Sequence, residues 1–253
     1  HESVALARHG LRLVAQLPPS PTRDVLELDL SLTLGWSMIN VRGYAAVEVE
    51  QIYTRAAALC EPANRRNDLF RPLWGLAMCY LTRAEHGQVK VLADRILALA
   101  QESGEPPARA TAHYMLGTVS VYTGEIVSAR RHYLDGIAIG DAHLGRSDLP
   151  DGRDPAITCR GQMGRVLWLL GYPDQAVAVS EVAMTRATRS GQPHSLVFAL
   201  WADMFLRQFL GDVAATADRA DRILVLANEH DLPQYRTWAG IMPGSWLRCL
   251  RWN

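Results

Sequence analysis

The sequence predicts an all-α fold of antiparallel helix pairs stacked in a row, on the basis of three observations. Apolar residues recur with helical spacing nearly everywhere, as in the segment 89–101, and no segment shows the alternation that is typical of a strand. Breaks rich in proline, glycine and polar residues separate segments that are long enough for two helices each. Small residues return at intervals of 41, 40, 47 and 40 residues, which is the repeat length of a stacked array.

The small residues that mark the repeat are predicted to lie at the turn inside each helix pair. They are Gly43, Ala84, Gly124, Gly171 and Gly211. In the segment 114–133 we expect Gly117, Gly124 and Ala129 to be small because two helix backbones pass very close to each other there. On this basis Gly124→Leu and Ala129→Leu are both expected to overpack the contact and destabilise the fold.

Longer breaks separate one helix pair from the next, and one of them is unusually long. The breaks lie at 17–21, 61–68, 102–107, 140–155, 190–193 and 230–233. The segment 140–155 is predicted to be an inserted loop, which explains the interval of 47 residues. Its acidic residues lack the alternating spacing and the terminal glutamate of an EF-hand, so Asp154 before Pro155 is interpreted as a helix N-cap rather than a calcium ligand. We expect one repeat domain over 1–253.

Composition excludes several classes of function. Lys and Arg together equal Asp and Glu at 26 each, so no net charge favours nucleic acid or an anionic membrane as a partner. The 4 cysteines are scattered, which predicts buried reduced thiols in a cytoplasmic protein and neither a metal site nor a disulfide framework. No apolar run is long enough to cross a bilayer. The chain opens without methionine and closes inside a helical pattern, so we expect it to be a fragment of a longer protein.

Three central segments resemble the tetratricopeptide repeat. That repeat places a large residue, leucine, a small residue and tyrosine along its first helix. The matching positions here are Leu73, Leu76, Ala77 and Tyr80; His113, Leu116, Gly117 and Ser120; and Arg160, Met163, Gly164 and Leu167. In the second helices Ala129 with Tyr133, and Ala176 with Ala183, match the small and large positions. The repeat at 211 departs from the pattern with Asp203 and Met204. The resemblance implies a right-handed superhelix of about eleven or twelve helices.

The phrases "GYAAVEVEQIYTRAAALC", "LFRPLWGLAMCYLTR" and "LWLLGYPDQAVAVSEVAMTRA" also resemble a more specific group. They are similar to the C-terminal helical-repeat region of large bacterial signalling proteins. In that group a class III nucleotidyl cyclase or a winged-helix or LuxR-type DNA-binding domain precedes an AAA-like ATPase and then the repeats. The resemblance implies a regulatory region that serves an attached ATPase, with any catalysis lying outside this chain.

The sequence lacks the short motifs that mark common active sites. It contains no phosphate-binding loop, no His-Glu-x-x-His, no Gly-x-Ser-x-Gly and no Gly-x-Gly-x-x-Gly. A hydrolase or transferase in the groove would have to use His113, Tyr114 and Arg165, which form no recognised catalytic set. We therefore predict a non-enzymatic protein that needs no cofactor and no metal ion.

Aromatic residues and arginines on the first helices are the candidate binding residues. They lie at repeat offsets that would line the concave face of a tetratricopeptide array: Arg71, Trp74, Met78, Tyr114, Thr118, Arg165, Trp168, Phe198, Trp201 and Phe205. The alternative is that these rings fill the core between long helices. Taken together they favour a groove that binds a protein segment or a neighbouring domain of the parent chain. The second interpretation is a sensor whose groove closes on a small effector. Apolar terminal repeats, such as the segment 237–252, are also expected to support a homodimer.

Overall fold

The computed structural model describes residues 2–60, 66–143 and 152–240, and all regular structure in these ranges is helical. The predicted all-α class is confirmed. The α-helices are α1 (Glu2–Val14), α2 (Pro21–Arg42), α3 (Val47–Cys60), α4 (Phe70–Thr82), α5 (His86–Ser103), α6 (Pro106–Tyr122), α7 (Ile126–Ala142), α8 (Pro155–Leu169), α9 (Pro173–Ser190), α10 (Pro193–Phe209), α11 (Val213–Glu229) and α12 (233–240, as far as it is described). A short 3-10 helix, Arg66–Leu69, precedes α4.

Capping residues and prolines explain where several helices begin. Ser20 precedes Pro21, and its hydroxyl accepts a hydrogen bond from the backbone N–H of Arg23 at 3.2 Å. Asp154 precedes Pro155, and its carboxylate accepts the backbone N–H of Ala156 at 2.7 Å, as the sequence predicted. A side-chain oxygen at this position satisfies an N–H that has no partner inside the helix, and proline at the first position has no N–H to lose.

Four helix pairs close with the same backbone turn. A residue with positive φ follows the first helix, and the N–H of the next residue donates to the carbonyl five positions back. These hydrogen bonds run from Glu85 to Tyr80 at 2.9 Å, from Glu125 to Ser120 at 2.8 Å, from Tyr172 to Leu167 at 2.9 Å and from Asp212 to Arg207 at 2.9 Å. The positive-φ residues are Ala84, Gly124, Gly171 and Gly211, at 61°, 82°, 85° and 73°.

The reason that the sequence suggested for Gly124 is therefore wrong. A Cβ added at Gly124 would meet no atom within 4 Å, and the same holds for Gly43, Gly171 and Gly211. These glycines are needed because their φ is positive, a region where a side chain is strained, and not because two helices approach there. A leucine at position 124 would therefore strain the backbone and would not overpack a contact between helices. Ala129, by contrast, is fully buried, as expected.

The close approaches lie instead at glycines inside the helices. A Cβ on Gly117 of α6 would lie 2.5 Å from the ring of Tyr133, which is fully buried on α7. A Cβ on Gly35 would lie 2.8 Å from the ring of Tyr53, and a Cβ on Gly75 would lie 2.6 Å from the same ring. In each case a tyrosine of the second helix occupies the space that a missing side chain leaves free on a first helix, so the small residue is required by packing.

The chain divides into two compact units, residues 1–115 and 116–253, and the boundary lies within α6. In the N-terminal unit successive helices from α1 to α5 pack against each other, and α2 also contacts α4. In the C-terminal unit successive helices from α7 to α11 pack in the same way, and α8 also packs against α10. The single domain expected over 1–253 stays a prediction.

Two parts of the sequence-based prediction lie wholly or mostly outside the described residues. The inserted loop expected at 140–155 overlaps the described chain only at its ends, where α7 ends at Ala142 and α8 begins at Pro155. The terminal apolar segment is described only as far as residue 240. Among the described helices, none combines the length and the apolar character that crossing a bilayer requires.

Asp203, which departs from the repeat pattern, belongs to a buried polar network on α10. Its carboxylate accepts hydrogen bonds from the hydroxyl of Ser180 at 2.7 Å and from Nε of Arg219 at 2.8 Å, and Nε of Arg207 lies 3.4 Å away. Burial is the largest single influence and opposes the charge on Arg219, but the hydrogen bonds and negative charges of Asp203 and Asp218 together outweigh it and raise the pKa of that guanidinium. The carboxylate thus links α9, α10 and α11 where another repeat has leucine.

Candidate aromatic binding surface of the C-terminal unit

Three aromatic residues predicted for the groove lie together on one face of α10. Phe198, Trp201 and Phe205 are three and four positions apart, which places them one above the other on a helix. The ring centroids of Phe198 and Trp201 are 5.3 Å apart, and those of Trp201 and Phe205 are 5.0 Å apart and edge-on. Phe198 is buried, whereas Trp201 and Phe205 are partly exposed. The structure therefore brings these three predicted residues together on one helix, and their role in binding stays a prediction.

The aromatic contacts continue from α10 to α12. The ring of Trp238 lies 5.1 Å from the ring of Trp201, and the ring of Tyr235 lies 5.3 Å from that of Trp238. Trp201 and Trp238 both pack against a buried core formed by residues such as Leu200 and Ile223, and each indole is only partly exposed. The sequence analysis missed Tyr235 and Trp238. The signal was available, because Trp238 follows Trp201 by 37 residues, close to the repeat length.

A second aromatic contact joins α8 to the C-terminal end of α10. Trp168, a predicted groove residue, stacks on Phe209 with ring centroids 4.8 Å apart and an angle of 23° between the planes. Phe209 is exposed and lies one helical turn beyond Phe205. We call Trp168, Trp201, Phe205, Phe209 and Trp238 the aromatic surface, because all five rings are at least partly exposed.

Two arginines of this unit lie over aromatic rings. The guanidinium of Arg153 is 4.9 Å from the ring centroid of Phe198, and that of Arg165 is 5.5 Å from the ring centroid of Tyr122. Both distances fall in the range of cation–π attraction. Arg165 was among the predicted groove residues, whereas Arg153 and Tyr122 were not. Arg153 lies in the segment predicted to be an inserted loop, where no helical register could assign it to a face.

The remaining predicted groove residues are mostly enclosed. Trp74 is fully buried and meets the ring of Tyr44 edge-on at 6.2 Å. Met78, Tyr114 and Thr118 are also buried, and the Thr118 hydroxyl lies 3.1 Å from the hydroxyl of Tyr133. Arg71 is exposed. Trp74 is left out of the proposed surface for this reason, since a ring without exposed area cannot contact a partner unless the fold opens.

The described thiols are not arranged as nucleophiles. Cys60, Cys79 and Cys159 are buried. Burial raises the pKa of the Cys79 thiol to about 12 and raises that of Cys159 as well, so both stay protonated near neutral pH. Chemically, the aromatic surface offers flat apolar area with indole N–H groups and guanidinium groups nearby, which suits non-covalent binding.

Sequence comparisons find little. No protein-family profile matches the chain. One curated relative, an uncharacterized protein of Rhizobium meliloti (strain 1021), is 20% identical over 238 residues. The match covers 91% of this chain, which spans 22% of the length of that relative.

Structural comparisons are more informative about the fold. RapI in its apo form matches with a TM-score of 0.65 at 10% identity, covering 99% of this chain and 92% of the other. BtubC (BKLC) from P. vanneervenii matches with a TM-score of 0.63 at 15% identity over 91% and 92% of the two chains. A putative kinesin light chain of Podosopora anserina with nearly identical TPR-like repeats matches with a TM-score of 0.53 at 15% identity over 84% and 99%. At such identities the likeness shows the fold alone, and the predicted class of tetratricopeptide-like helix pairs is confirmed.

Proposed function

We propose that this chain is a non-enzymatic interaction domain that binds a protein segment on the aromatic surface of its C-terminal unit. The single observation that supports this proposal most strongly is that partly exposed rings meet across three helices, with Trp201 contacting Phe205 and Trp238 between α10 and α12, and Trp168 stacking on Phe209 between α8 and α10. Tryptophan, tyrosine and arginine are the residues most often found at the energetic centre of protein interfaces. Large rings also lose little conformational entropy when a partner covers them.

The arrangement favours a segment over a compact ligand because the rings extend along α10 and onto two other helices. From Trp201 to Phe209 the helix makes about two turns, which is a length on the order of 10 Å. Trp238 extends the rings beyond one end and Trp168 flanks the other. An extended or helical segment could contact all of them together, whereas a small effector would usually be enclosed by a pocket.

We further propose a regulatory role within a larger cytoplasmic protein. This part of the proposal rests on the resemblance to the repeat regions of bacterial signalling ATPases and on the greater length of the Rhizobium relative. The bound segment would then belong to an attached domain or to a separate partner. Homodimerisation through the terminal repeats stays a proposal of the same kind.

A peptide selection tests the binding function directly. We would immobilise the folded protein and select from a phage-displayed library of random short peptides, in parallel with Trp201→Ala and Trp238→Ala. Tyr172→Ala is a matched control, because Tyr172 is an exposed ring in the turn between α8 and α9, outside the aromatic surface.

The expected result is enrichment of peptides with apolar or aromatic residues on the wild type and on Tyr172→Ala, and loss of that enrichment on the two tryptophan variants. Equal enrichment on all four proteins would contradict the aromatic surface. No enrichment on the wild type would contradict peptide binding, and a screen of small aromatic molecules would then test the sensor interpretation.

A further inference from the structure

Arg165 has no carboxylate partner among the described residues, whereas several other partly or fully buried arginines of the C-terminal unit form ion pairs. Arg160 and Arg186 form ion pairs with Asp141, and Arg219 forms ion pairs with Asp203 and Asp218. Arg165 is only partly exposed, yet its Nε and Nη2 have neither a hydrogen-bond acceptor nor contact with solvent in the part of the chain that the structure describes. A charged group in this condition is costly, because it has lost water without gaining an acceptor.

The two unpaired nitrogens form one chemical unit. In a guanidinium, Nε and Nη2 lie along the same edge and point their N–H bonds in the same direction, with a spacing that matches the two oxygens of a carboxylate. The ring of Tyr122, 5.5 Å from the guanidinium carbon, attracts the charge but supplies no oxygen acceptor on its face. The missing complement is therefore an anionic group with two adjacent oxygens.

The position of Arg165 connects it to the aromatic surface. It precedes Trp168 by three residues on α8, so the two side chains lie on neighbouring positions of one helix face. Trp168 in turn stacks on Phe209 of α10. A segment that covers Trp168 and Phe209 thus passes next to Arg165.

We infer that Arg165 receives an aspartate or glutamate carboxylate of the segment that binds on the aromatic surface, so that the preferred ligand is an acidic peptide with apolar or aromatic neighbours. This inference rests on the proposed function. The Nε and Nη2 atoms have no solvent contact in the structure, so binding of the carboxylate requires a change of the Arg165 side-chain rotamer that opens this edge. The carboxylate supplies the charge complement, and the rings supply the apolar contact.

The test uses the peptide selection with three further variants. Arg165→Gln removes the charge, Arg165→Lys keeps the charge but lacks the two-pronged edge, and Arg130→Gln is the matched control for net charge. Arg130 is exposed on α7. Thermal melting of each variant checks that it is folded. The most enriched peptide is then synthesised with its acidic residue and with the corresponding amide, and dissociation constants are measured by fluorescence polarisation.

The expected result is that the amide peptide binds the wild type and Arg130→Gln about tenfold more weakly than the acidic peptide, as for loss of a charged hydrogen bond. Arg165→Gln should bind both peptides equally weakly, and Arg165→Lys should recover only part of the difference. Enriched peptides without acidic residues, or an unchanged preference in Arg165→Gln, would overturn this inference and leave the aromatic surface intact. Absence of any enrichment would overturn the proposed function and this inference together.

Discussion

Trp74 and Trp201 occupy the same position of the repeat but have opposite surroundings. Each directly follows a buried leucine, Leu73 on α4 and Leu200 on α10. Trp74 has no exposed area and meets Tyr44, whereas Trp201 is partly exposed and contacts Phe198, Phe205 and Trp238. A position in the repeat fixes the direction of a side chain along its helix. What covers that side chain depends on neighbouring residues, which differ between the two units.

The largest expected effect comes from exchanging the two tryptophans for alanine. Trp74→Ala should lower the free energy of unfolding by about 3–5 kcal/mol, because it leaves a cavity in a closed core. Trp201→Ala should cost only about 1–2 kcal/mol, since part of the ring already faces solvent. Urea denaturation followed by circular dichroism measures both. Equal losses would show that the two rings have the same environment and would remove the basis for the surface.

The second comparison concerns the residue two positions after each tryptophan, where α4 has Leu76 and α10 has Asp203. Asp203→Ala should cost about 3 kcal/mol, because it leaves Arg219 and Ser180 without their buried acceptor. Leu76→Ala should cost a comparable amount through a cavity alone. A double-mutant cycle with Arg219→Ala distinguishes the two causes. If the losses in the free energy of unfolding caused by Asp203→Ala and Arg219→Ala add up in the double variant, the ion pair between the two residues does not stabilise the fold.

A smaller effect should separate the two kinds of glycine. Gly117→Ala should cost about 2 kcal/mol, because the new methyl group collides with the ring of Tyr133. Gly124→Ala should cost about 1 kcal/mol, because it meets open space and only strains a positive φ. Thermal denaturation monitored by circular dichroism shows which of the two substitutions lowers the stability more. The reverse order would mean that Tyr133 can move aside and that the turn is the tighter constraint.

The smallest effect is a gain in stability at the turn that contains Ala84. Four described turns share the same hydrogen bond, and this one has no glycine at the position with positive φ. Ala84 has a φ of 61° where Gly124, Gly171 and Gly211 occupy the corresponding turns. Ala84→Gly should raise the free energy of unfolding by about 0.5–1 kcal/mol, since glycine adopts this conformation without strain. The gain is reduced by the greater freedom of glycine in the unfolded chain. A decrease measured by urea denaturation would show that Ala84 makes a favourable contact that outweighs its strain.

Much of the fold could be predicted from the sequence because helical periodicity and turn residues are local signals. The spacing of Gly124, Gly171 and Gly211 marks a turn with positive φ, and glycine is favoured there because it adopts this backbone without strain. The sequence could not distinguish this cause from close packing. At Gly117 the cause is a ring from another helix, and only the folded chain shows that Tyr133 occupies the space.

The candidate site was predictable only in part. Phe198, Trp201 and Phe205 share one helix face, so their proximity follows from spacing. Their contact with Trp238 depends on how α12 packs, and the stacking of Trp168 on Phe209 depends on how α8 meets α10. The burial of Trp74 is likewise a tertiary effect. No local pattern determines which of two equivalent tryptophans is covered.

The dissociation constant of the most enriched peptide tests the central claim most directly. It would be measured by fluorescence polarisation for the wild type, Trp201→Ala and Tyr172→Ala, with thermal melts confirming that all three are folded. The aromatic surface predicts at least about a tenfold weaker affinity for Trp201→Ala and no change for Tyr172→Ala, because buried aromatic contacts dominate such interfaces. The same affinity for all three proteins would contradict the proposal that this surface binds the segment.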